Sequence, residues 1–194
     1  MKLFILADEK PDQPLKELSK DCDVILLLGD LFPSWVEELK DVDLPILGVH
    51  GNHDYDKVHN PDQIDIFKML GGIDLHLKTF EHQGVTFTGF DGDMGYVFAE
   101  NDAAYPKPID RIKMKAELEK LNTHPPADVL VTHYPSVGTL DMPFLGHKGL
   151  GGFRSYIERV QPSYHFHGHV HKQAQAQIGS TNVFSVFPYL KLEI

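Results

Sequence analysis

The stretch Asp23-Val24-Ile25-Leu26-Leu27-Leu28-Gly29-Asp30 decides the fold class. From Val24 to Leu28 every side chain is apolar, with no polar residue at alternate positions. A strand with one wet face alternates, whereas a strand covered on both faces reads as a continuous apolar run, the habit of parallel sheets. Working outward, the same event recurs. Residues 2–7 (KLFILA) close on Asp8-Glu9-Lys10, residues 44–49 (LPILGV) on His50-Gly51-Asn52-His53-Asp54, and residues 127–132 (ADVLVT) on His133-Tyr134-Pro135. Residues 163–167 lead in the same way to Gly168-His169-Val170-His171. Helix-sized pieces lie between: a short helix within 11–20, one entered through Pro33-Ser34, one over 109–121 and one over 153–160. Buried strands alternating with helices imply an α/β fold with a largely parallel sheet covered on both faces.

Two regions depart from that pattern. Residues 75–80 and 84–90 alternate roughly and predict an antiparallel pair around Glu81-His82-Gln83-Gly84. The tail, 174–194, predicts two more strands around Gly179-Ser180-Thr181-Asn182. Residues 91–108 and 136–152 read as loops. In the second loop Val137, Leu140, Met142, Pro143, Phe144, Leu145 and Leu150 suggest a cleft lid, or else a subunit contact. With 194 residues and no repeat or linker, residues 1–194 are expected to form a single domain.

Composition narrows the function. A chain that is 42% hydrophobic and 24% charged is globular rather than disordered. Its 18 basic against 28 acidic residues give a formal charge of −10, so an extended nucleic-acid interface is not expected. A small anion remains possible where a bound cation inverts the local potential. Cys22 is the single cysteine, so no intrachain disulfide can form. The N-terminus lacks a signal-peptide profile and no apolar run is long enough to span a membrane, so a cytoplasmic protein is expected, as a monomer or small homo-oligomer.

The chemistry lies at the strand ends. Asp8, Asp30, Asn52, His53, His133, His169 and His171 all follow buried strands, and carboxyl ends of parallel strands converge on one crevice. Oxygen and imidazole ligands suit Mn, Fe, Ni, Zn or Mg. These candidates exceed the need of one ion; two ions about 3.5–4 Å apart, sharing a carboxylate, would use them all.

These residues resemble the calcineurin-like metallophosphoesterases. That family's pattern runs Asp-x-His, Gly-Asp-x-x-Asp, Gly-Asn-His-Asp/Glu, a lone strand-end His and Gly-His-x-His. The corresponding residues are Asp8-Glu9-Lys10, Gly29-Asp30-Leu31-Phe32-Pro33, Gly51-Asn52-His53-Asp54, His133 and Gly168-His169-Val170-His171, in the family's order from residue 8 to residue 171. The resemblance implies a two-sheet sandwich with flanking helices, four layers in the order α-β-β-α. It implies Asp30 as the bridging carboxylate, with Asn52, His133 and His169 completing one metal site and Asp8 and His171 serving the other. It makes His53 the histidine that assists the leaving group. Two divalent ions follow, manganese first, with Fe, Ni, Zn or Mg as alternatives.

Two positions depart from the pattern. Lys10 stands where the family has a metal-ligating histidine, and an ammonium has no lone pair to give. It either points away or contacts the substrate phosphate. Pro33 stands where many members carry an aspartate. His147, in the glycine-rich loop between two metal motifs, is a second candidate substrate contact. His50 is expected to support the site or play a structural part, and His59, His76, His82 and His124 read as surface residues.

The function so implied is hydrolysis of a small phosphate ester by a metal-bridging hydroxide, with His53 and Asn52 as catalytic residues. A diester is favoured, because Arg111, Arg154 and Arg159 form no evident cluster for a dianion. The alternatives are a phosphomonoesterase, or a binding or scaffold protein whose first metal site is degenerate at Lys10 and Pro33. A metal-dependent amidohydrolase fits the composition but not the Gly-Asn-His-Asp turn or the motif order.

Overall fold

The computed structural model describes residues 1–54, 57, 60–92, 115–116, 118–142 and 145–194. The apolar runs become β1 (Lys2–Leu6), β2 (Val24–Leu27) and β3 (Ile46–Gly48), parallel neighbours joined by β4 (Ile73–Asp74). The last strand of the chain, β11 (Tyr189–Glu193), pairs antiparallel with β1 and completes a five-stranded sheet in the order β11-β1-β2-β3-β4. The second sheet holds β5 (Thr79–His82), β6 (Val85–Phe90), β7 (Val129–Thr132), β8 (Tyr164–His167), β9 (Ala174–Ile178) and β10 (Thr181–Ser185). Its order is β5-β6-β7-β8-β10-β9, with β5 and β9 as antiparallel edges on four parallel strands.

Register explains the continuous apolar runs. Ile5, Leu26 and Leu47 are neighbours across three strands and point toward the second sheet, where they meet Phe87, Val131 and Phe166. One residue earlier, Phe4, Ile25 and Ile46 form the adjoining row and point the other way. That outer face is covered by α1 (Leu15–Ser19), α2 (Pro33–Val36) with the 3-10 turn Glu37–Asp41, and α3 (Ile66–Leu70). The outer face of the second sheet is covered by α4 (Gly151–Val160), whose Phe153, Tyr156 and Ile157 pack on Leu130 and Val183. Helices, sheet, sheet and helix give the four-layer α/β sandwich. Phe4 is fully buried in this stack, and truncating such a side chain to alanine costs about 3–5 kcal/mol.

Several expectations are corrected. The expected strand over 75–80 is displaced. Leu77 has φ 52° and Lys78 N–H donates to the Leu75 carbonyl, so the chain turns before β5 begins at Thr79. The tail contains three strands, because β11 leaves the second sheet to pair with β1. α3 is a helix not expected from the sequence. Asp65 caps it by accepting from the Phe67 and Lys68 amides, and Gly71 ends it at φ 67°. The described residues of the apolar 137–150 loop pack onto the protein, a placement compatible with either a cleft lid or a subunit contact. Leu150 is buried, Leu140 packs against the α4 core, and the Asp141 carboxylate accepts from Gly138 N–H and Gly149 N–H. Pro143 and Phe144 lie outside the described residues, as do Arg111, His59 and most of the 91–108 and 109–121 segments; residues 118–120 are helical. No helix among the described residues is long and apolar enough to cross a membrane.

Candidate metal centre

The turns after β1, β2, β3, β7 and β8 meet at one edge of the sandwich. Four of the predicted ligands have left-handed backbone there: Asp8 (φ 63°), Asp30 (φ 55°), His169 (φ 69°) and His171 (φ 48°). Each such residue costs of order 1–3 kcal/mol, and strain of this kind persists where the surroundings impose it. Here it swings each side chain off the strand axis toward a shared hollow.

Close backbone packing holds the turns. Gly29, at φ 92°, lies against the backbone of Gly51, and a Cβ on Gly51 would collide with Asp30 Oδ1. A Cβ on Gly168 would stand 2.7 Å from Asp8 Oδ2. Asp54, the last residue of Gly-Asn-His-Asp, ties two turns together. Its buried carboxyl accepts from Gly51 N–H (2.6 Å), Leu31 N–H (2.9 Å) and Asp30 N–H (3.2 Å). Burial first, and then the charge of Asp30, push its pKa up to about 6.

Four ligand atoms converge. His133 Nε2 lies 3.0 Å from Asn52 Oδ1, 3.2 Å from His169 Nδ1 and 3.3 Å from Asp30 Oδ2. The outer ring nitrogens are occupied: His133 Nδ1–H donates to the Leu28 carbonyl (2.8 Å), and His169 Nε2–H to the Gly146 carbonyl (2.5 Å). Those bonds fix the outer nitrogens as the donors, so that His169 turns a lone pair inward and His133 does so once its inward proton is lost, the arrangement that orients metal-binding histidines. Asp30 divides its oxygens, since Oδ1 takes the His53 amide (2.7 Å) and Oδ2 faces the hollow.

The neighbouring half-site contains Asp8 and His171. Asp8 Oδ2 accepts the His169 amide (2.9 Å). Asp8 Oδ1 is buried with no hydrogen-bond partner and stands 3.7 Å from His171 Nε2. A buried carboxylate oxygen without a donor is costly, and a cation is the group that answers it. Burial drives the Asp8 pKa up to about 7; the His133 cation opposes this and the Asp30 charge adds to it. His171 is more open, its side chain 56% exposed and stacked on Phe187 at 5.2 Å between ring centres. The donors present therefore fit divalent ions: oxygen and imidazole, two carboxylates at the centre, and one orphaned oxygen.

The structure brings the predicted residues together unevenly. His53 and His147 line the same cavity, about 340 Å³, as Asp8, Asp30, His169 and His171. The His147 ring stands 4.9 Å from that of His169. Lys10 does not line the cavity; its Nζ is paired with Glu38 Oε1 at 3.3 Å. Pro33 occupies the first turn of α2, where its fixed φ suits helix entry.

Asp54, Asp74 and Asp91 take up contacts not expected from the sequence. Among the described residues, two groups of Asp and His bring ligand atoms within 4.8 Å of one another: Asp30, His133 and His169, and His50, Asp74 and Asp91. In the second group Asp91 Oδ1 accepts the His50 amide (3.0 Å), and Asp74 accepts from His76 N–H and Lys78 Nζ. Protons of the chain already serve those carboxylates. His50 is buried there, with Asp65 3.6 Å from its Nε2. Three histidines expected on the surface, His76, His82 and His124, are half-buried instead: His82 ends β5, His76 Nδ1 accepts the Asp91 amide, and His124 Nε2 lies 2.6 Å from Thr88 Oγ1.

Comparison with known proteins places the chain by sequence and by fold. A UPF0046 protein of Caenorhabditis elegans, K07C11.7, is 31% identical over 137 residues, 66% of this chain. The match covers 46% of that relative, so the chain spans less than half its length. Among solved structures, the phosphopantetheinyl hydrolase PptH of Mycobacterium tuberculosis superposes with a TM-score of 0.62 at 14% identity, covering 96% of this chain and 90% of that one. A putative 5'-nucleotidase of Staphylococcus aureus gives 0.54 at 13% identity, covering 95% and 48%. At such identities the likeness is one of fold. The sequence profile of the Metallophos family matches residues 5–173, a span that holds every candidate ligand, and the chain therefore belongs to the calcineurin-like phosphoesterases.

Proposed function

We propose that the chain is a dinuclear metal-dependent hydrolase of small phosphodiesters, working in the cytoplasm. The observation that carries this reading is the convergence of Asp30, Asn52, His133 and His169 beside the orphaned Asp8 Oδ1. Asp30, Asn52, His133 and His169 would hold one divalent ion and Asp8, Asp30 and His171 the other, with manganese first and Fe, Ni, Zn or Mg as alternatives. When bound, such ions supply Lewis acidity and an activated water.

The remaining work falls to the chain. Asp30 presents Oδ2 to the hollow because Oδ1 is fixed by the His53 amide. Asn52, its Oδ1 turned to His133, offers its amide protons to a phosphoryl oxygen. His53 lines the cavity and serves as the proton donor to the departing oxygen. His147 lies within reach of the rest of the substrate.

The test is turnover of bis(p-nitrophenyl) phosphate and p-nitrophenyl phosphate by manganese-loaded protein, before and after chelation. A diester rate above the monoester rate, abolished by chelation, is expected; preference for the monoester would make the chain a phosphomonoesterase. A second reading rests on the Lys10–Glu38 pair, which leaves the first half-site with only Asp8, Asp30 and His171. A binding or scaffold protein of that kind would hold one ion per chain and turn over neither ester.

A further inference from the structure

We propose that the groove beyond Phe32 seats the leaving group of the ester, and that it selects an uncharged aryl or branched alkyl alcohol. This rests on the phosphohydrolase reading and assigns its substrate class. Phe32 is shared by two hollows. On one side it lines the metal cavity with His53; on the other it opens a groove of about 440 Å³ with Ile64 and Met69. That volume is of the size that holds a small organic group.

Position points to the leaving group rather than to the phosphoryl centre. The floor of the groove includes Asn60, whose Nδ2 donates to the carbonyls of Asp54 and Ile64 while its Oδ1 accepts the Ile64 amide. Asn60 thereby fastens Ile64 to the turn that carries His53. Because Phe32 lines both hollows, a substrate with its phosphorus at the candidate metal ligands and its bridging oxygen toward His53 can extend its leaving group past that ring into this groove.

Chemistry selects the occupant. Phe32, Pro33, Pro61, Ile64 and Met69 give apolar walls, and Trp35 braces the Phe32 ring at 4.0 Å between centres, tilted 42°. Ile64 is the large hydrophobic side chain left exposed among the described residues, at 37%. The cation in the lining, Lys40, is taken by Glu37 at 3.1 Å, and Asp62 adds a negative charge. An anionic tail such as a second phosphate is disfavoured there, whereas a flat or branched apolar group gains contact.

The experiment uses non-hydrolysable phosphonates, so that recognition is read without turnover. Methylphosphonate and 1-naphthylmethylphosphonate are titrated calorimetrically into the manganese-loaded full chain. The naphthyl compound is expected to bind about tenfold tighter, as burial of one apolar ring face predicts. In Ile64→Asp the ratio of the two constants should fall to within about twofold of unity, and Ile64→Leu should keep it. Equal affinities in the wild type, or a preference that survives Ile64→Asp, would overturn the subsite while leaving the metal-phosphate reading intact. Failure of both phosphonates to bind would overturn the hydrolase reading and the subsite together.

Discussion

His133 Nε2 and Asp30 Oδ2 stand 3.3 Å apart in the depth of the site, and each holds the other charged. Burial works against both ions. The pairing wins, pushing His133 up to about 9 and holding Asp30 well below the usual carboxylate range. In the metal-free protein a proton therefore sits where the candidate ligand atoms converge, and below about pH 7 a second sits on Asp8, whose pKa burial raises to about 7.

Metal binding must expel both protons, since a ligating imidazole is neutral and a ligating carboxylate ionised. Below pH 7 both groups start protonated, so affinity rises with pH on both counts; between 7 and 9 only the His133 proton remains to be lost. Manganese titrations at pH 6 in buffers of differing ionisation enthalpy should show release of about two protons per chain. A buffer-independent heat would refute the pairing as the apo state.

Asp30→Asn removes the carboxylate that both half-sites would share on the proposed reading while keeping its shape. The expected outcome is loss of at least one ion by elemental analysis and loss of turnover. Intact metal content and rate would show that Asp30 does not bridge.

The candidate ligands that the structure brings together were legible in the sequence because each sits at a fixed offset from a buried strand, and five turns with the same grammar are hard to produce by chance. The runs around Phe4, Leu26 and Val131 were legible for a related reason, since two covered faces leave no alternation to misread. What escaped depends on distant backbone. Asp54 reads as the end of a motif, yet its role is fixed by amides of Leu31 and Asp30, more than twenty residues away. Asp91 is likewise defined by His50. β11 could not be assigned to β1 from its own residues. α3 did carry a visible signal, Asp65 before Ile66 and Gly71 after Leu70, but five residues give too little periodicity to draw attention.

Asp54→Ala should destabilise the fold and disorder the site together. It strands three amides in a buried turn, and each unsatisfied group costs about 1–3 kcal/mol. Chemical denaturation should show a loss of at least about 2 kcal/mol, with weaker metal retention. Asp54→Asn keeps one acceptor oxygen and should fall between. A neutral Asp54→Ala would mean that the two turns are held by packing alone.

His53→Ala should separate chemistry from metal binding. The His53 backbone amide still donates to Asp30 Oδ1 in the variant, so the ions should stay. Turnover should fall roughly 10²–10⁴-fold, the usual contribution of a general acid. The loss should shrink for p-nitrophenyl esters, which leave without protonation, and grow for alkyl esters. An equal loss across leaving groups would argue against proton donation.

The Lys10 side chain turns to Glu38, so its departure from the family pattern carries a definite expectation. Its ammonium is paired with Glu38 at 3.3 Å, away from the residues that line the metal cavity. Both partners are partly exposed, so the pair contributes no more than about 1 kcal/mol. Lys10→Ala should therefore leave manganese affinity, phosphate affinity and turnover within about twofold of the wild type, with a slight loss of stability that salt also produces. Lys10→His adds an imidazole donor at the same place in the chain. Freed from Glu38, that ring can turn toward Asp8 Oδ1, the orphaned oxygen, and complete the half-site that lacks a ligand. Calorimetric titration of manganese into the two variants and the wild type, with and without phosphate, checks both statements. Weaker phosphate binding in Lys10→Ala would show that the side chain leaves Glu38 for the substrate. A tighter first site in Lys10→His, with Lys10→Ala silent, would show that the half-site lacks only a donor.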